Sequence, residues 1–247
     1  MPTDLEKSII RVLCWFSVFE YPLTRYEIWK WLLEPDRDYD LSEIYRVLDE
    51  SEWLRDKLIF SRGYCFIRDE FDIDIGLKER RVRVLDSVKK YRKLKQVSSL
   101  FGVIASVRGV AAVNTLSMWN TTPSSDIDLF IITKPNSIWS TRFWVVLPFL
   151  FFGKRPYIHV QNETEVVERE DSFCFSFFTT QNSLQTEKLS LKGKDFYLAY
   201  WVKSIVPIID KDESFNSFER ENKWVDSFLP NARIRDVHHL HSPKQFV

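Results

Sequence analysis

Two aspartates open an apolar stretch in the middle of the chain, at residues 124–132 (SSDIDLFII). The β-branched and aromatic residues that follow predict a buried strand. Side chains two positions apart leave a strand on the same face, so Asp126 and Asp128 are expected to point the same way, about 6–7 Å apart. Two carboxylates this close repel each other and resist burial. A divalent cation relieves both costs, and paired carboxylates favour Mg²⁺ (or Mn²⁺), which also takes phosphate oxygens and water.

Composition narrows the class of protein. The chain has 247 residues and is 45% hydrophobic, enough for one large core or two small ones. Its cysteines, Cys14, Cys65 and Cys174, are too far apart for a disulfide framework or a metal site, which indicates a reducing, cytoplasmic setting. The first residues lack the features of a signal peptide. The longest apolar run, residues 143–152, is shorter than the ~20 residues of a membrane span, so we expect no membrane partner.

The zero net charge conceals a separation of charge along the chain. Residues 1–75 carry 10 basic and 17 acidic residues, a net charge of −7. Residues 76–98 carry 9 basic and 2 acidic residues, a net charge of +7. An acidic N-terminal region is therefore followed by a basic connector.

The acidic region, residues 1–75, has the pattern of a winged helix-turn-helix. Capping-box residues predict the starts of three helices, at about residues 5–19, 25–33 and 41–54. Two short apolar runs around Gly63 predict a hairpin, with strands at 58–60 and 64–67. Three helices and a hairpin form the outline of a winged helix. A basic linking helix is expected next, at about residues 77–97 within the connector 76–98.

The remaining sequence alternates strands with helices, which predicts an α+β fold. In residues 99–185 we expect strands at 107–113, 126–133, 157–160 and 173–178, a polar loop at 114–125 and an apolar helix at 138–152. Pro148 is expected to kink or split that helix. Residues 186–247 are expected to form C-terminal helices, at about 192–205 and 214–228, and a tail.

A strand, a polar loop and a second strand that opens with Asp-x-Asp resemble the nucleotidyltransferase superfamily, which has the DNA polymerase β-like fold. In that family a Gly-Ser pair follows the first strand, and the Asp-x-Asp motif comes about ten residues later. Here Asp126 and Asp128 match the carboxylate pair, and Asn114 and Thr115 stand at the Gly-Ser positions. The resemblance covers about residues 99–185. The whole chain also resembles a group of bacterial and archaeal nucleotidyltransferase-like proteins with an N-terminal winged helix, which supplies an architecture but no substrate.

The resemblance implies a mechanism and a set of site residues. Asp126 and Asp128 would hold Mg²⁺ or Mn²⁺ and carry catalysis, while Asn114, Thr115 and Ser125 would bind a nucleoside triphosphate. An unknown hydroxyl acceptor would attack the α-phosphorus, and pyrophosphate would leave. Asn in place of Gly introduces a Cβ where phosphate approaches, although Asn tolerates the left-handed backbone better than most residues.

The family's third carboxylate lies on a neighbouring strand, and here the chain departs from the pattern. The expected strand, residues 173–178 (FCFSFF), contains no acidic residue. Cys174 and Ser176 share one face, and neither is a good Mg²⁺ ligand. Glu163, Glu165 and Asp171 are close in sequence, but sequence alone does not place them. A site that works with two carboxylates and a degenerate, non-catalytic site both remain open.

Three further patterns suggest functions that the surrounding residues make less favourable. Asp72 and Asp74 repeat the Asp-x-Asp motif, but a basic helix follows them instead of an apolar strand, so metal binding is not expected there. The third predicted helix would read DNA, yet its single Arg46 is surrounded by acidic residues, which disfavours sequence-specific DNA binding. A protein partner for the acidic N-terminal domain is the better expectation. The basic helix is predicted to be solvated or paired with that domain, with phosphate or RNA contact as the alternative.

The sequence therefore supports two main functions. The first is a Mg²⁺-dependent nucleotidyltransferase that moves a nucleoside monophosphate to an unknown hydroxyl. The second is a catalytically degenerate protein of that fold that binds a nucleotide or a partner. A transcription regulator is disfavoured by the acidic helix.

Overall fold

Helices and strands are interspersed along the chain, which confirms a mixed α+β protein. The computed structural model describes residues 1–68, 72–151, 171–191 and 193–234, without the side chains of Phe151 and Ser176. Within these ranges the helices are α1 (Asp4–Ser17), α2 (Arg25–Lys30), α3 (Leu41–Glu50), α4 (Glu52–Arg55), α5 (Ile73–Gly102), α6 (Asn114–Ser117), α7 (Ile138–Phe151), α8 (Phe196–Ser204) and α9 (Ser214–Glu221). The strands are β1 (Leu23–Thr24), β2 (Leu58–Ser61), β3 (Tyr64–Ile67), β4 (Val107–Ala112), β5 (Ile127–Thr133), β6 (Phe173–Thr180) and β7 (Val206–Asp210).

The contacts within the chain divide it into two compact units. Of the described residues, those within 1–82, 195–203 and 223–233 form the first unit, and those within 83–194, 204–222 and 234–247 form the second. Parts of the predicted C-terminal region are thus grouped with the N-terminal residues, and other parts with the central sheet.

The first unit combines α1 to α4 with a three-stranded antiparallel sheet in the order β1-β3-β2. Thr3 and Thr24 cap α1 and α2 through capping boxes, as their spacing from Glu6 and Glu27 predicts. The predicted hairpin is present, because Leu58 pairs with Ile67 and Ser61 with Tyr64. Arg62 and Gly63 form its turn, both at positive φ (50° and 86°), the geometry that a tight two-residue hairpin requires.

Aromatic side chains fill the core of the first unit. Tyr200 on α8 is 4% exposed and stacks on Trp15, with the ring centroids 5.0 Å apart. It also contacts the rings of Phe16 and Trp31, and its hydroxyl donates to the carbonyl of Trp31 (3.1 Å). Burial raises the pKa of Tyr200 well above the ordinary value for tyrosine, so the hydroxyl stays protonated at neutral pH. Helix α8 therefore belongs to the core of this unit although it lies far along the chain.

The second unit is built on a four-stranded mixed sheet in the order β6-β5-β4-β7. Strand β5 is parallel to β6 and antiparallel to β4, and β4 is antiparallel to β7. Because α7 lies between β5 and β6 in the chain, it is part of the crossover that parallel neighbours require. Its buried side chains include Phe149, whose ring centroid lies 4.8 Å from Phe173 and 5.0 Å from Phe175.

Helix α7 buries only one of its faces. Val145 and Phe149 are 1% and 3% exposed, whereas Trp139 and Phe143 are 81% and 56% exposed. The helix continues through Pro148 without a break, so the predicted split does not occur. Pro148 removes only the bond to the carbonyl of exposed Trp144, which water can satisfy. No helix among the described residues is long and apolar enough to cross a membrane.

Several boundaries differ from the sequence predictions. Residues 206–210 form strand β7, which was not predicted, and residues 114–117 of the predicted polar loop form the single helical turn α6. The predicted third helix ends at Glu50, and the last one at Glu221, where a 3₁₀ segment follows (Lys223–Ser227). The predicted strand at 157–160 and the C-terminal tail from residue 235 lie outside the described residues.

Candidate functional site

Strand β5 presents the two aspartates side by side. Asp126 directly precedes the strand and Asp128 is its second residue. Ile127 and Leu129, which alternate with them, are 0% exposed and form part of the sheet core. The pleat therefore sends both carboxylates to the side opposite these apolar side chains, where both residues are half-buried. The predicted shared orientation follows from this alternation.

The two negatively charged carboxylates repel each other. Within the described residues neither makes a hydrogen bond or an ion pair. Burial raises the pKa of Asp126 above its ordinary value, the charge of Asp128 raises it further, and the ammonium of Lys90 opposes the shift. Repulsion without a bound partner is the condition that a divalent cation would relieve.

The end of β4 brings the predicted nucleotide-binding residues beside this pair. The backbone N–H of Val113 donates to the carbonyl of Asp128 (3.1 Å), so Asn114 and Thr115 follow the strand next to the second aspartate. Asn114 has a φ of 56°, in the left-handed region, which Asn adopts more readily than most residues other than Gly. Thr115 is exposed, and its side chain faces solvent.

The loop between α6 and β5 is tied together by its own hydroxyl groups. The N–H of Thr122 donates to Oγ of Ser125 (2.9 Å), and the N–H of Ser125 donates to the carbonyl of Thr122 (2.9 Å). The two hydroxyls also lie 3.0 Å apart. Ser125, predicted to bind a nucleotide, thus has a visible role in closing the turn that leads into Asp126. Its contact with a nucleotide remains a prediction.

Side chains of helix α5 hold the same loop in place through hydrogen bonds. Thr121 Oγ1 donates to Oδ2 of Asp86 (2.7 Å) and lies 2.9 Å from the hydroxyl of Ser87. The hydroxyl of Tyr91, which is fully buried, donates to the carbonyl of Leu116 (3.1 Å). The helix was predicted from the spacing of its apolar residues, and it is its buried polar residues that fix the position of the loop.

Lys90 on α5 is the member of the site that sequence reasoning missed. Its side chain is 0% exposed, and its ammonium donates to Asp171 (2.6 Å) and forms an ion pair with Asp86 (3.2 Å). Lys93, one turn further on, contacts the same carboxylate of Asp171 at 3.2 Å. Burial would raise the pKa of Asp171, but the hydrogen bonds and charges of the two lysines outweigh it, so this pKa lies below its ordinary value.

The neighbouring strand offers no third carboxylate to the pair. In the register of β5 and β6, Asp128 lies opposite Cys174, and the remaining residues of β6 are apolar or hydroxylic. Asp171 precedes the strand, where the N–H of Ile127 donates to the carbonyl of Ser172 (2.7 Å), but its carboxylate is held by lysines. Glu163 and Glu165 lie outside the described residues.

The second Asp-x-Asp motif, at Asp72 and Asp74, has a structural role. Oδ1 of Asp72 accepts from the backbone N–H groups of Asp74 (3.0 Å) and Ile75 (3.1 Å), which caps the start of α5. Asp74 is exposed and lies 3.6 Å from Arg62. The same tripeptide therefore begins a helix here and a strand at Asp126.

The basic residues of α5 are used in different ways. Arg80, 6% exposed, donates to Glu27 (2.6 Å) and lies 3.5 Å above the ring of Tyr21, so it joins the helix to the acidic region within the first unit. Lys90 and Lys93 serve the second unit as described. Others, including Arg81, Lys89 and Arg92, are exposed. The predicted pairing with the acidic region thus applies to part of the helix.

The two aspartate carboxylates suit a divalent cation whose remaining ligands come from a bound molecule. Among the described residues no group of three or more His, Cys, Asp or Glu side chains could hold a metal ion. Two unengaged carboxylates match the way Mg²⁺ is usually bound, by one or two carboxylates together with substrate phosphates and water. The chain's own residues therefore fit Mg²⁺ only as part of a complex with a phosphate ligand.

Comparison of the chain with protein-family models, with curated proteins and with solved structures finds no significant match in any of the three.

Proposed function

We propose that the chain is a Mg²⁺- or Mn²⁺-dependent nucleotidyltransferase that transfers a nucleoside monophosphate from a nucleoside triphosphate to a hydroxyl acceptor. The observation that carries the proposal is the pair of half-buried, unengaged carboxylates of Asp126 and Asp128 at the start of a central strand. Supporting it, the end of the adjacent strand places Asn114 and Thr115 next to Asp128 through the Val113 hydrogen bond.

In the proposed reaction each residue has a limited task. Asp126 and Asp128 hold the cation, which would orient the triphosphate and neutralise the charge that develops on it. Thr115, whose side chain is exposed, offers a hydroxyl to the phosphates, and the left-handed Asn114 turns the chain toward them. The acceptor oxygen forms a bond to the α-phosphorus, the bond from that phosphorus to the bridging oxygen breaks, and pyrophosphate leaves. The proton of the acceptor hydroxyl passes to water.

The test is pyrophosphate release. The protein is incubated with each of the four ribonucleoside triphosphates, Mg²⁺ or Mn²⁺ and a panel of hydroxyl acceptors, and pyrophosphate is measured. We expect release that depends on the cation and falls at least 100-fold in Asp126→Asn and in Asp128→Asn. Asp72→Asn, in the same tripeptide at the cap of α5, is the matched control and should retain activity. Equal activity in all three variants would refute the proposal.

A degenerate site is the second candidate, and the ion pairs of Asp171 favour it. The acidic group nearest the start of β6 is held by Lys90 and Lys93, so no third carboxylate is ready to activate an acceptor. In this case the core would bind a nucleotide or a partner without turnover. Saturable binding of a triphosphate, measured by calorimetry, with no pyrophosphate release from any acceptor would support this candidate over the first.

The proposal also covers the division of the chain into domains. We take residues 1–75 as a winged helix, 76–98 as a linking helix, 99–185 as a nucleotidyltransferase-like core and 186–247 as a C-terminal region. The order of α1 to α3 and of the antiparallel β2–β3 hairpin supports the winged helix. Acidic residues on α3 engage the domain's own arginines, Glu43 with Arg37 and Asp49 with Arg25, which favours a protein partner over DNA. No disulfide joins the three cysteines, consistent with a cytoplasmic setting.

A further inference from the structure

Helix α7 is apolar on its outward side as well as on its buried side. Its outer face consists of Trp139, Phe143, Trp144 and Leu150, which are between 55% and 81% exposed. Trp139, Phe143 and Leu150 are four and seven positions apart, so they lie along one line of the helix. A helix that is hydrophobic on all sides is normally buried on all sides. The outer face of α7 therefore has the composition of a surface that meets an apolar partner.

The charge around this face has a single sign. Residues 129–162 contain no aspartate or glutamate. Within the described part of that stretch, Lys134 is exposed just after β5 and Arg142 is half-buried on α7. Lys154 and Arg155 follow in the sequence, outside the described residues. An apolar surface bordered by cations, with no anion beside it, is complementary to a partner that is both apolar and negatively charged.

We infer that the outer face of α7 binds the surface of an anionic lipid bilayer, with its aromatic rings in the interfacial region and Lys134 and Arg142 close to the headgroups. The contact is peripheral, and apolar area and electrostatic attraction contribute to it together. The expectation of no membrane partner was based on the length of a spanning segment. Contact with a bilayer surface needs no such segment.

The side chains of the outer face fit a lipid interface better than a protein partner. Tryptophan is enriched at membrane interfaces because its ring is apolar while its indole N–H can donate to headgroups or water. The indole N–H groups of Trp139 and Trp144 donate to none of the described residues. A protein interface usually carries about one hydrogen bond per 100–200 Å², and the apolar side chains of this face offer few groups to form them.

The cations also disfavour a second copy of the chain as the partner. A two-fold interface places the same patch on both sides, so Lys134 and Arg142 of one copy would lie near those of the other. Like charges brought together in this way repel each other. The anionic lipid surface has the opposite charge and is therefore the occupant that the face favours.

A bilayer on α7 would leave the candidate site uncovered. Val145 on the buried side of α7 belongs to the same core cluster as Ile127 and Leu129 of β5. Asp126 and Asp128 alternate with these two residues, so their carboxylates leave the opposite face of the sheet. Lipid binding is therefore compatible with the proposed function but does not depend on it.

The test is cosedimentation of the full chain with vesicles of phosphatidylcholine alone, or with about one third of the anionic lipid phosphatidylglycerol. We expect at least tenfold stronger binding to the anionic vesicles. Raising the salt concentration from about 0.1 M to about 0.5 M should weaken that binding several-fold, because salt screens the attraction between the cations and the headgroups.

The apolar contribution is tested by replacing Trp139 and Phe143 with serine in one variant. Both side chains are exposed, so the variant should fold, and its binding to anionic vesicles should fall at least tenfold. Leu189→Ser is the matched control, because this leucine is 73% exposed and lies outside α7. It should bind like the parent protein.

The charge contribution is tested at single exposed lysines. Lys134→Glu should weaken binding to anionic vesicles at least fivefold, because it turns an attraction into a repulsion at the headgroups. Lys89→Glu makes the same change on the exposed side of α5 and should alter the binding less than about twofold. Equal losses in the two variants would assign the binding to the general charge of the chain and overturn the inference.

Three other outcomes would overturn it. A parent protein that does not bind anionic vesicles would leave the face to a protein partner. A parent dimer that dissociates when Trp139 and Phe143 are replaced would assign the face to a second copy. A double variant that melts far below the parent would show that another part of the chain covers these side chains. Pyrophosphate release decides the proposed function separately from all of these.

Discussion

Replacing Asp126 with Asn should stabilise the protein in the absence of metal while removing its response to metal. The carboxylate of Asp126 is half-buried and repelled by Asp128, and burial and repulsion both raise its pKa. Each is unfavourable to the folded state at neutral pH. Asparagine has a similar shape and no charge, so it relieves both.

The size of the effect follows from the strand geometry. At the ~6–7 Å separation of neighbouring same-face positions, two unit charges repel by about 0.6 kcal/mol in water and about 2.5 kcal/mol at an effective dielectric constant of 20. Because the pair is partly solvated and Lys90 attracts Asp126, the lower end applies, about 0.5–1 kcal/mol. This corresponds to a rise of about 1–4 °C in the Tm.

The assay is thermal unfolding by calorimetry, with chelator and then with Mn²⁺ and triphosphate. In chelator the variant should melt above the parent, and with ligands the parent should gain stability and the variant should not. The sign of the pH dependence is also fixed. A folded-state pKa above the unfolded value destabilises the fold as pH rises past the ordinary pKa of 3.8, so the advantage of Asp126→Asn should grow from about pH 4 and then level off. A variant that melts more than about 4 °C below the parent in chelator would refute this reasoning, because the carboxylate would then be part of a stabilising network.

Three further predictions concern packing and backbone, all measured as the free energy of unfolding in urea. Phe149→Ala should cost about 3–5 kcal/mol, because it opens a cavity in the aromatic core, while Phe143→Ala on the exposed face of the same helix should stay within about 0.5 kcal/mol; equal losses would show that α7 packs differently. Gly109→Ala should cost about 1–3 kcal/mol, since its Cβ would lie 2.8 Å from the buried ring of Phe215; a neutral result would mean that the ring moves aside. Asn114→Ala should cost about 1 kcal/mol because of the left-handed backbone, and Asn114→Gly should cost less than Asn114→Ala; the reverse order would contradict the strain argument.

Local signals were sufficient for most of the elements. Capping boxes fixed the starts of α1 and α2, and a glycine turn predicted the β2–β3 hairpin, because each depends on residues within a few positions of one another. Strand β7 was missed because it is short and contains Pro207, a residue that argues against a strand. It is tolerated because β7 lies at the edge of the sheet formed by the described strands, where one side of the backbone has no neighbour among them.

Only part of the candidate site could be predicted from the sequence. Asp126 and Asp128 are two residues apart, so strand periodicity alone predicts that they share a face. Lys90 and Asp171 are 81 residues apart, and nothing in the repeat of a basic helix distinguishes the lysine that is buried from those that are solvated. The charge of α5 suggested a solvated surface, and only the packing of α5 against the site reveals that one of its lysines has no contact with water.

Because α7 is buried on one face only, its exposed tryptophans should give the protein a distinct fluorescence signal. All nine tryptophans lie in the described ranges, and only Trp139 and Trp144, both on this helix, are exposed, at 81% and 58%. Their emission should lie at long wavelength and be quenched by acrylamide more strongly than that of the seven others, which are buried or half-buried. Substituting both with phenylalanine should remove the most strongly quenched part of the fluorescence, so any molecule that covers this face can be followed without a label.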